Sequence, residues 1–181
     1  PMRIYVEELY TRASPGGVGY AKTAGNYAAA MYATAKAQLQ GYQQVLWTDA
    51  FEHRYVQEIG TMNVFFVTGR QVLTPSLDEG TILDGITRRS VITVLEEMDY
   101  EVVERAISID ELQDLYTAGH LNEVFGTGTA ATVSMIRELR YRDFVMTFDT
   151  NTWIATPAVL ERLNNIRYGK AADVHGWLYL V

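Results

Sequence analysis

The chain has 181 residues, a net charge of −7, 48% hydrophobic and 20% charged residues, and no cysteine. This length suits one domain that buries about 70% of its unfolded surface, and the balance excludes wholesale disorder. Missing cysteines exclude disulfides, thiol nucleophiles and cysteine metal sites and fit a reducing compartment such as the cytoplasm. The 15 basic residues form no cluster that would neutralise several phosphates, which excludes a nucleic-acid surface.

Residues 3–9 read as a strand, without the apolar stretch of a signal peptide. Because Pro1-Met2 leads straight into it, the chain is expected to be a fragment or a processed product. A Gly-rich stretch, Pro15 to Gly19, leads to Lys22. Asn26 then reads as the N-cap of an Ala-rich helix from Tyr27 to Gln40, closed by Gly41. Strands are expected at 43–47, 56–59 and 63–67, the last turning at Thr68-Gly69-Arg70 into a partner at 71–74. Helical spacing of Val91, Val94, Leu95 and Met98 predicts a helix over 86–98. A strand over 100–107 precedes a capping box, Ser108 as N-cap with Glu111 reaching back, and a short helix to Ala118. A strand at 122–125 ends in the turn Gly126-Thr127-Gly128-Thr129. Strands at 132–139 and 144–148 follow, then a last helix to about Arg167 with Pro157 at its first position. No run of ~18 apolar residues would span a membrane. The expectation is one strand-rich α+β domain over 1–181, too irregular in its βαβ alternation for a doubly wound sheet.

Four features bear on chemistry. Gly16-Gly17-Val18-Gly19-Tyr20-Ala21-Lys22-Thr23 is one residue from the phosphate-cradling loop G-x-x-x-x-G-K-[ST]. Ala21 stands where that loop needs glycine, and a helix starting at Asn26 begins too late to meet a phosphate, so nucleotide hydrolysis is disfavoured. Lys22, one of three lysines, reads either as a solvated loop residue or as an amine that an apolar surround frees for a Schiff base. Glu58, flanked by apolar residues before Gly60, must be paired to stay charged. A satisfied strand-end carboxylate and a partner for a protonated ring nitrogen are both open. Gly85-Ile86-Thr87-Arg88 at a helix start and Gly126-Thr127-Gly128-Thr129 after a strand are two candidate anion cradles. His53, His120 and His175 have no partners at metal spacing, and no metal site is expected.

Together these segments resemble the fold-type IV pyridoxal-phosphate enzymes, specifically the branched-chain amino acid aminotransferases. The resemblance runs through Gly16 to Tyr27, Gln44-Val45-Leu46-Trp47, Glu58-Ile59-Gly60-Thr61-Met62-Asn63, Ile82 to Arg88, Phe125 to Ala130, and Ile166 to Lys170 with Gly176-Trp177. It implies that Lys22 bonds covalently to pyridoxal 5′-phosphate and shuttles the proton. Tyr27 would bond the cofactor's phenolic oxygen, and Glu58 would hold the pyridine nitrogen protonated. The N–H groups of Ile86 and Thr87, with Thr129, would hold the phosphate; Thr61, Ala130 and Ala131 would seat the substrate carboxylate. Asp84 and Thr127 depart from the usual Pro and Ser, and Ala131 and Ser134 replace a redox Cys pair found in some relatives. The implied reaction is amino transfer between leucine, isoleucine or valine and 2-oxoglutarate in a cytoplasmic homodimer or higher homo-oligomer. D-amino acid aminotransferases and aminodeoxychorismate lyases share the superfamily, but Gly60-Thr61-Met62-Asn63 is of the branched-chain type. The family also has an N-terminal domain that supplies a phosphate-binding arginine and a pocket wall. The chain is expected to be the large cofactor-binding domain alone, inactive by itself.

Overall fold

A computed structural model describes residues 1–179. Nine strands form one mixed sheet: β1 (Met2–Val6), β2 (Gln44–Thr48), β3 (Val56–Ile59), β4 (Asn63–Thr68), β5 (Gln71–Thr74), β6 (Glu101–Glu104), β7 (Glu123–Gly128), β8 (Thr132–Tyr141) and β9 (Phe144–Thr147). Their order is β3-β2-β1-β8-β7-β4-β5-β6, with β9 added to β8. Helix α1 (Ala24–Leu39) crosses from β1 to its parallel neighbour β2. The sheet curls until its two ends meet: Val56 N–H donates to Ile107 O at 2.9 Å, and Tyr55 bridges Ser108. The α+β expectation therefore holds, and the sheet is curled.

Strand alternation sorts the apolar residues between two faces. Val64, Phe66, Val124, Ile136 and Leu139 point into the curl, where Ile109 and Leu112 of α3 (Ile109–Thr117) close the core. Phe65, Val67 and Phe125 point outward and are covered by α2 (Ile86–Glu97) and α4 (Ala155–Arg167). The rings of Phe65 and Phe125 stack at 5.1 Å. Helix α1 buries only alanines, Ala30, Ala33 and Ala37, against Val45 and Trp47, so it sits close to the sheet. Its far side exposes Met31, Tyr32 and Leu39. No described helix is long and apolar enough to cross a membrane.

Several local expectations need correction. Helix α1 begins at Ala24 after Thr23, so Asn26 is not its cap. Asn26 donates instead to Val18 O at 2.9 Å and Ala21 O at 2.8 Å, tying the Gly-rich loop to the helix. Ser108 does cap α3, accepting from Glu111 N–H at 3.1 Å, but the Glu111 carboxylate turns to Arg105 rather than back to the cap. Strand β1 is shorter than expected, β6 stops at Glu104, and β7 runs on through Gly126-Thr127-Gly128, leaving the turn to residues 129–131. Pro157 occupies the third helical position of α4, where an N–H also lacks an intrahelical partner. The preceding N–H groups of Ile154, Ala155 and Thr156 donate to the Glu123 carboxylate at 2.7–2.9 Å. A strand residue thus caps the helix from 31 positions away.

Candidate active site

The sequence-derived candidates converge beside the ends of β3, β4 and β7. A cavity of about 390 Å³ is lined by Lys22, Tyr27, Thr61, Ile86, Thr87, Thr129, Ala130 and Ala131. A narrow extension, which shares Lys22, Tyr27 and Thr61, reaches Glu58 and Arg12. Every candidate therefore borders one or both of two adjoining spaces that share Lys22, Tyr27, Thr61 and Leu83, with a carboxylate in one and a helix N-terminus in the other. The size of the larger lies in the range of small-molecule sites.

Glu58 sits on β3 and is 3% exposed. Its Oε1 accepts Leu83 N–H at 2.8 Å, and its Oε2 lies 3.6 Å from Arg12 Nη1. Burial dominates and pushes the Glu58 carboxyl above its ordinary range, against the opposing pull of Arg12 and the Leu83 N–H. A carboxylate has about four acceptor positions, and one short hydrogen bond with one distant cation leaves it electrostatically open.

The loop opposite Glu58 is set by Asn63, the first residue of β4. Asn63 Nδ2 donates to Leu83 O at 2.8 Å, while Leu83 N–H faces Glu58. Asn63 Oδ1 also lies 2.5 Å from where a Cβ on Gly85 would stand, so any larger residue there would displace the Asn63 amide that holds Leu83. Gly85 caps α2 with no side chain, and the first turn has no acidic residue. The N–H groups of Ile86 and Thr87 lack intrahelical partners and carry the positive end of the helix dipole. Across the cavity, Thr127 pairs with Asn63 in the sheet, is 1% exposed, and has an Oγ1 without a partner among the described residues. Open N–H groups, an orphaned hydroxyl and an open carboxylate at the far end suit a flat ring bearing a phosphate on one side and a basic nitrogen on the other. The residues present therefore fit pyridoxal phosphate.

Lys22 is exposed and follows the loop that Asn26 ties down, so the apolar enclosure expected for it is not present in this chain. Tyr27 lies on the first turns of α1, 41% exposed. The phosphate-loop alternative for residues 16–23 loses its remaining support. The N–H groups of Gly17, Ala21 and Thr23 are bonded to Ser14 O, Val18 O and Ala21 O and do not face an anion. The earlier start of α1 removes one argument against that reading, but these bonds replace it. No described group of His, Asp or Glu is placed to hold a metal ion. His175 Nε2 lies 3.0 Å from Glu97 Oε1.

Sequence reasoning missed Arg12, Asn63 and Thr127. Arg12 lies in an irregular loop with no local pattern. Asn63 was visible only as part of the Glu58 segment, and Thr127 only as a substituted Ser.

The model of the amino-transferase class IV family matches residues 3–139. The chain is similar to a probable branched-chain-amino-acid aminotransferase of Staphylococcus aureus strain N315, at 47% identity over all of this chain and 51% of the relative. It is also similar to branched-chain-amino-acid transaminase 1 of Bacillus subtilis strain 168, at 46% identity over 98% of this chain and 50% of the relative. The chain thus spans about half the length of the curated relatives it matches. Among solved structures, the branched-chain amino acid aminotransferase of Escherichia coli superimposes with a TM-score of 0.83 at 27% identity, covering 98% of this chain and 56% of that one. A T.th. branched-chain amino acid aminotransferase, complexed with N-(5′-phosphopyridoxyl)-L-glutamate, gives 0.82 at 28% identity over 98% and 55%. By a family match that spans most of its length, the chain belongs to the class IV amino-transferases.

Proposed function

We propose that these residues form the cofactor-binding domain of a branched-chain amino acid aminotransferase that uses pyridoxal 5′-phosphate. In the whole protein it transfers the amino group between leucine, isoleucine or valine and 2-oxoglutarate. The observation that carries this reading is an electrostatically open, buried Glu58 lining the same cavity as Lys22 and Tyr27, which in turn line the adjoining cavity at the α2 N-terminus. The names of relatives at 46–47% identity support the substrate class, and the phosphopyridoxyl compound bound by the T.th. enzyme supports the cofactor.

Bound pyridoxal phosphate supplies a carbonyl carbon that exchanges amino groups and a ring that accepts electron density from the substrate's α-carbon. Lys22 Nζ would hold the cofactor covalently and would be the base that moves the α-carbon proton. Glu58 would keep a proton on the ring nitrogen, since an opposite charge favours the protonated form. Tyr27 would donate to the phenolic oxygen. The N–H groups of Ile86 and Thr87 and the hydroxyl of Thr129 would bind the phosphate at the helix N-terminus. Thr61, Ala130 and Ala131 would orient the substrate carboxylate.

The curated relatives are about twice as long, and we propose that an N-terminal domain completes the pocket with a phosphate-binding arginine and a wall that excludes water. Homodimerisation is supported by the apolar side chains exposed on α1, and a cytoplasmic location by the absence of cysteine. The test is amino transfer from leucine to 2-oxoglutarate by this chain and by the chain with an N-terminal domain joined to it. Activity only in the longer protein, abolished by Lys22→Ala, is expected. Equal turnover by both would overturn the role given to the second domain, and activity surviving Lys22→Ala would overturn the role of the lysine.

A further inference from the structure

Behind the carboxylate end of the site lies a separate cavity of about 320 Å³. Its walls come from residues 55–57 at the start of β3, the loop after β5, and the segment after β6. Gln57 lines it and is 3% exposed, yet neither its Nε2 nor its Oε1 has a hydrogen-bond partner among the described residues. A buried amide with both its donor and its acceptor unanswered is costly to fold. Several of its polar neighbours are already engaged. Asp49 accepts four backbone N–H groups, Asp78 accepts from Ser76 Oγ, Glu104 pairs with Arg88, and Arg105 pairs with Glu111.

The charges in the lining decide what would answer Gln57. Asp49, Asp78, Glu79 and Glu104 face a single guanidinium, that of Arg105. An anion is repelled, so neither a carboxylate nor a phosphate suits the space. Val56, Pro75 and Ile82 supply apolar wall. A neutral group with a donor and an acceptor side by side matches Gln57 reciprocally.

We propose that this cavity is a second ligand site, for a small primary amide with an apolar body. Its carbonyl oxygen accepts from Gln57 Nε2, and its N–H donates to Gln57 Oε1. Occupancy is felt at Glu58 through three covalent or hydrogen-bonded neighbours. Gln57 precedes Glu58 in β3. Thr81 O, on the cavity wall, accepts from the Arg12 guanidinium that flanks Glu58. Ile82, also on the wall, precedes Leu83, whose N–H bonds Glu58 at 2.8 Å. This second site does not depend on the proposed function, because it requires no cofactor.

The test is an NMR titration of the ¹⁵N-labelled 181-residue chain with 4-methylpentanamide and with its anionic isostere 4-methylpentanoate. The amide is expected to shift the Gln57 side-chain NH₂ signals and the backbone N–H signals of Glu58 and Leu83 with one common dissociation constant. The acid should bind at least tenfold more weakly. Gln57→Leu should lose at least tenfold in amide affinity, and Gln57→Met gives the same test if the leucine packs poorly. Equal binding of amide and acid, affinity unchanged in the folded variants, or a crystal soaked with the amide that shows water alone on Gln57 would each overturn the proposal.

Discussion

Two buried carboxylates flank the turn between β2 and β3, and the protein treats them in opposite ways. Asp49, 7% exposed, receives the N–H groups of Phe51, Glu52, Arg54 and Tyr55 at 2.8–3.1 Å. Burial works against its charge, but those N–H groups prevail and hold its carboxyl below the ordinary range. Glu58, 3% exposed, has one N–H and an arginine at 3.6 Å, and there burial prevails. Asp49 is saturated by its own turn and organises only that turn. Glu58 is held charged-side inward with acceptor capacity to spare, beside a cavity lined by a lysine and a tyrosine. How completely the backbone answers each acid separates the structural Asp49 from Glu58, for which we propose a functional role.

The largest expected effect falls on the pairing that keeps Glu58 tolerable. Arg12→Met should lower stability at neutral pH by about 3–5 kcal/mol, the usual result of stranding one member of a buried ion pair. Urea unfolding should show most of that loss recovered in Arg12→Met with Glu58→Gln. An equal loss with and without Glu58 would mean that Arg12 acts only through its packing and its bond to Thr81.

Asp49→Ala strands four backbone N–H groups and should cost about 3 kcal/mol of unfolding free energy. It should leave cofactor affinity, read by fluorescence titration, within twofold of the parent. A near-neutral stability change, or a large loss of cofactor binding, would erase the distinction between the two acids.

Glu58→Gln should do the reverse. In the longer protein, kcat and kcat/KM should fall together by about 100-fold, equivalent to ~2.7 kcal/mol, because the interaction is made mainly in the transition state. The effect on folding is smaller and depends on pH. Because the folded pKa of Glu58 is raised, the folded state binds its proton more tightly than the unfolded state does. That contribution is fully present below the unfolded value of about 4.5 and is lost as pH rises through the folded pKa. Without cofactor, the stability of Glu58→Gln relative to the parent should therefore increase from about pH 4 upward. Asp49 has the opposite sign: its contribution is present above its unfolded value and lost as pH falls through the depressed folded pKa. A Glu58→Gln advantage that grows toward acid would contradict this assignment.

The contrast also marks what was legible in the sequence. Glu58 stood out because a carboxylate between apolar residues is locally anomalous, and the hairpin at Gly69 and the α2 face were legible because turn chemistry and periodicity are local. The partners were not. Arg12 reaches Glu58 across 46 positions, and Glu123 caps α4 across 31, contacts that only the curled sheet creates. Asn26 looked like a cap because its residue type suits one, whereas its side chain answers two carbonyls of the preceding loop. The extension of β7 through Gly126 and Gly128 was hidden by glycine content, which usually marks a turn. There the two glycines lie against Met62, at 3.1 and 3.4 Å from where their Cβ atoms would stand.

If the two adjoining cavities align Lys22, Glu58 and the N-terminus of α2 around a single cofactor, the lysine must be the residue that the cofactor marks. The most direct measurement is peptide mass mapping after borohydride reduction of the chain incubated with pyridoxal phosphate, made in parallel on Lys22→Ala. A stable phosphopyridoxyl mass increment is expected on the peptide containing Lys22 and is expected to be absent from the variant. An increment on Lys36 or Lys170, or one that persists at full yield in Lys22→Ala, would contradict that alignment.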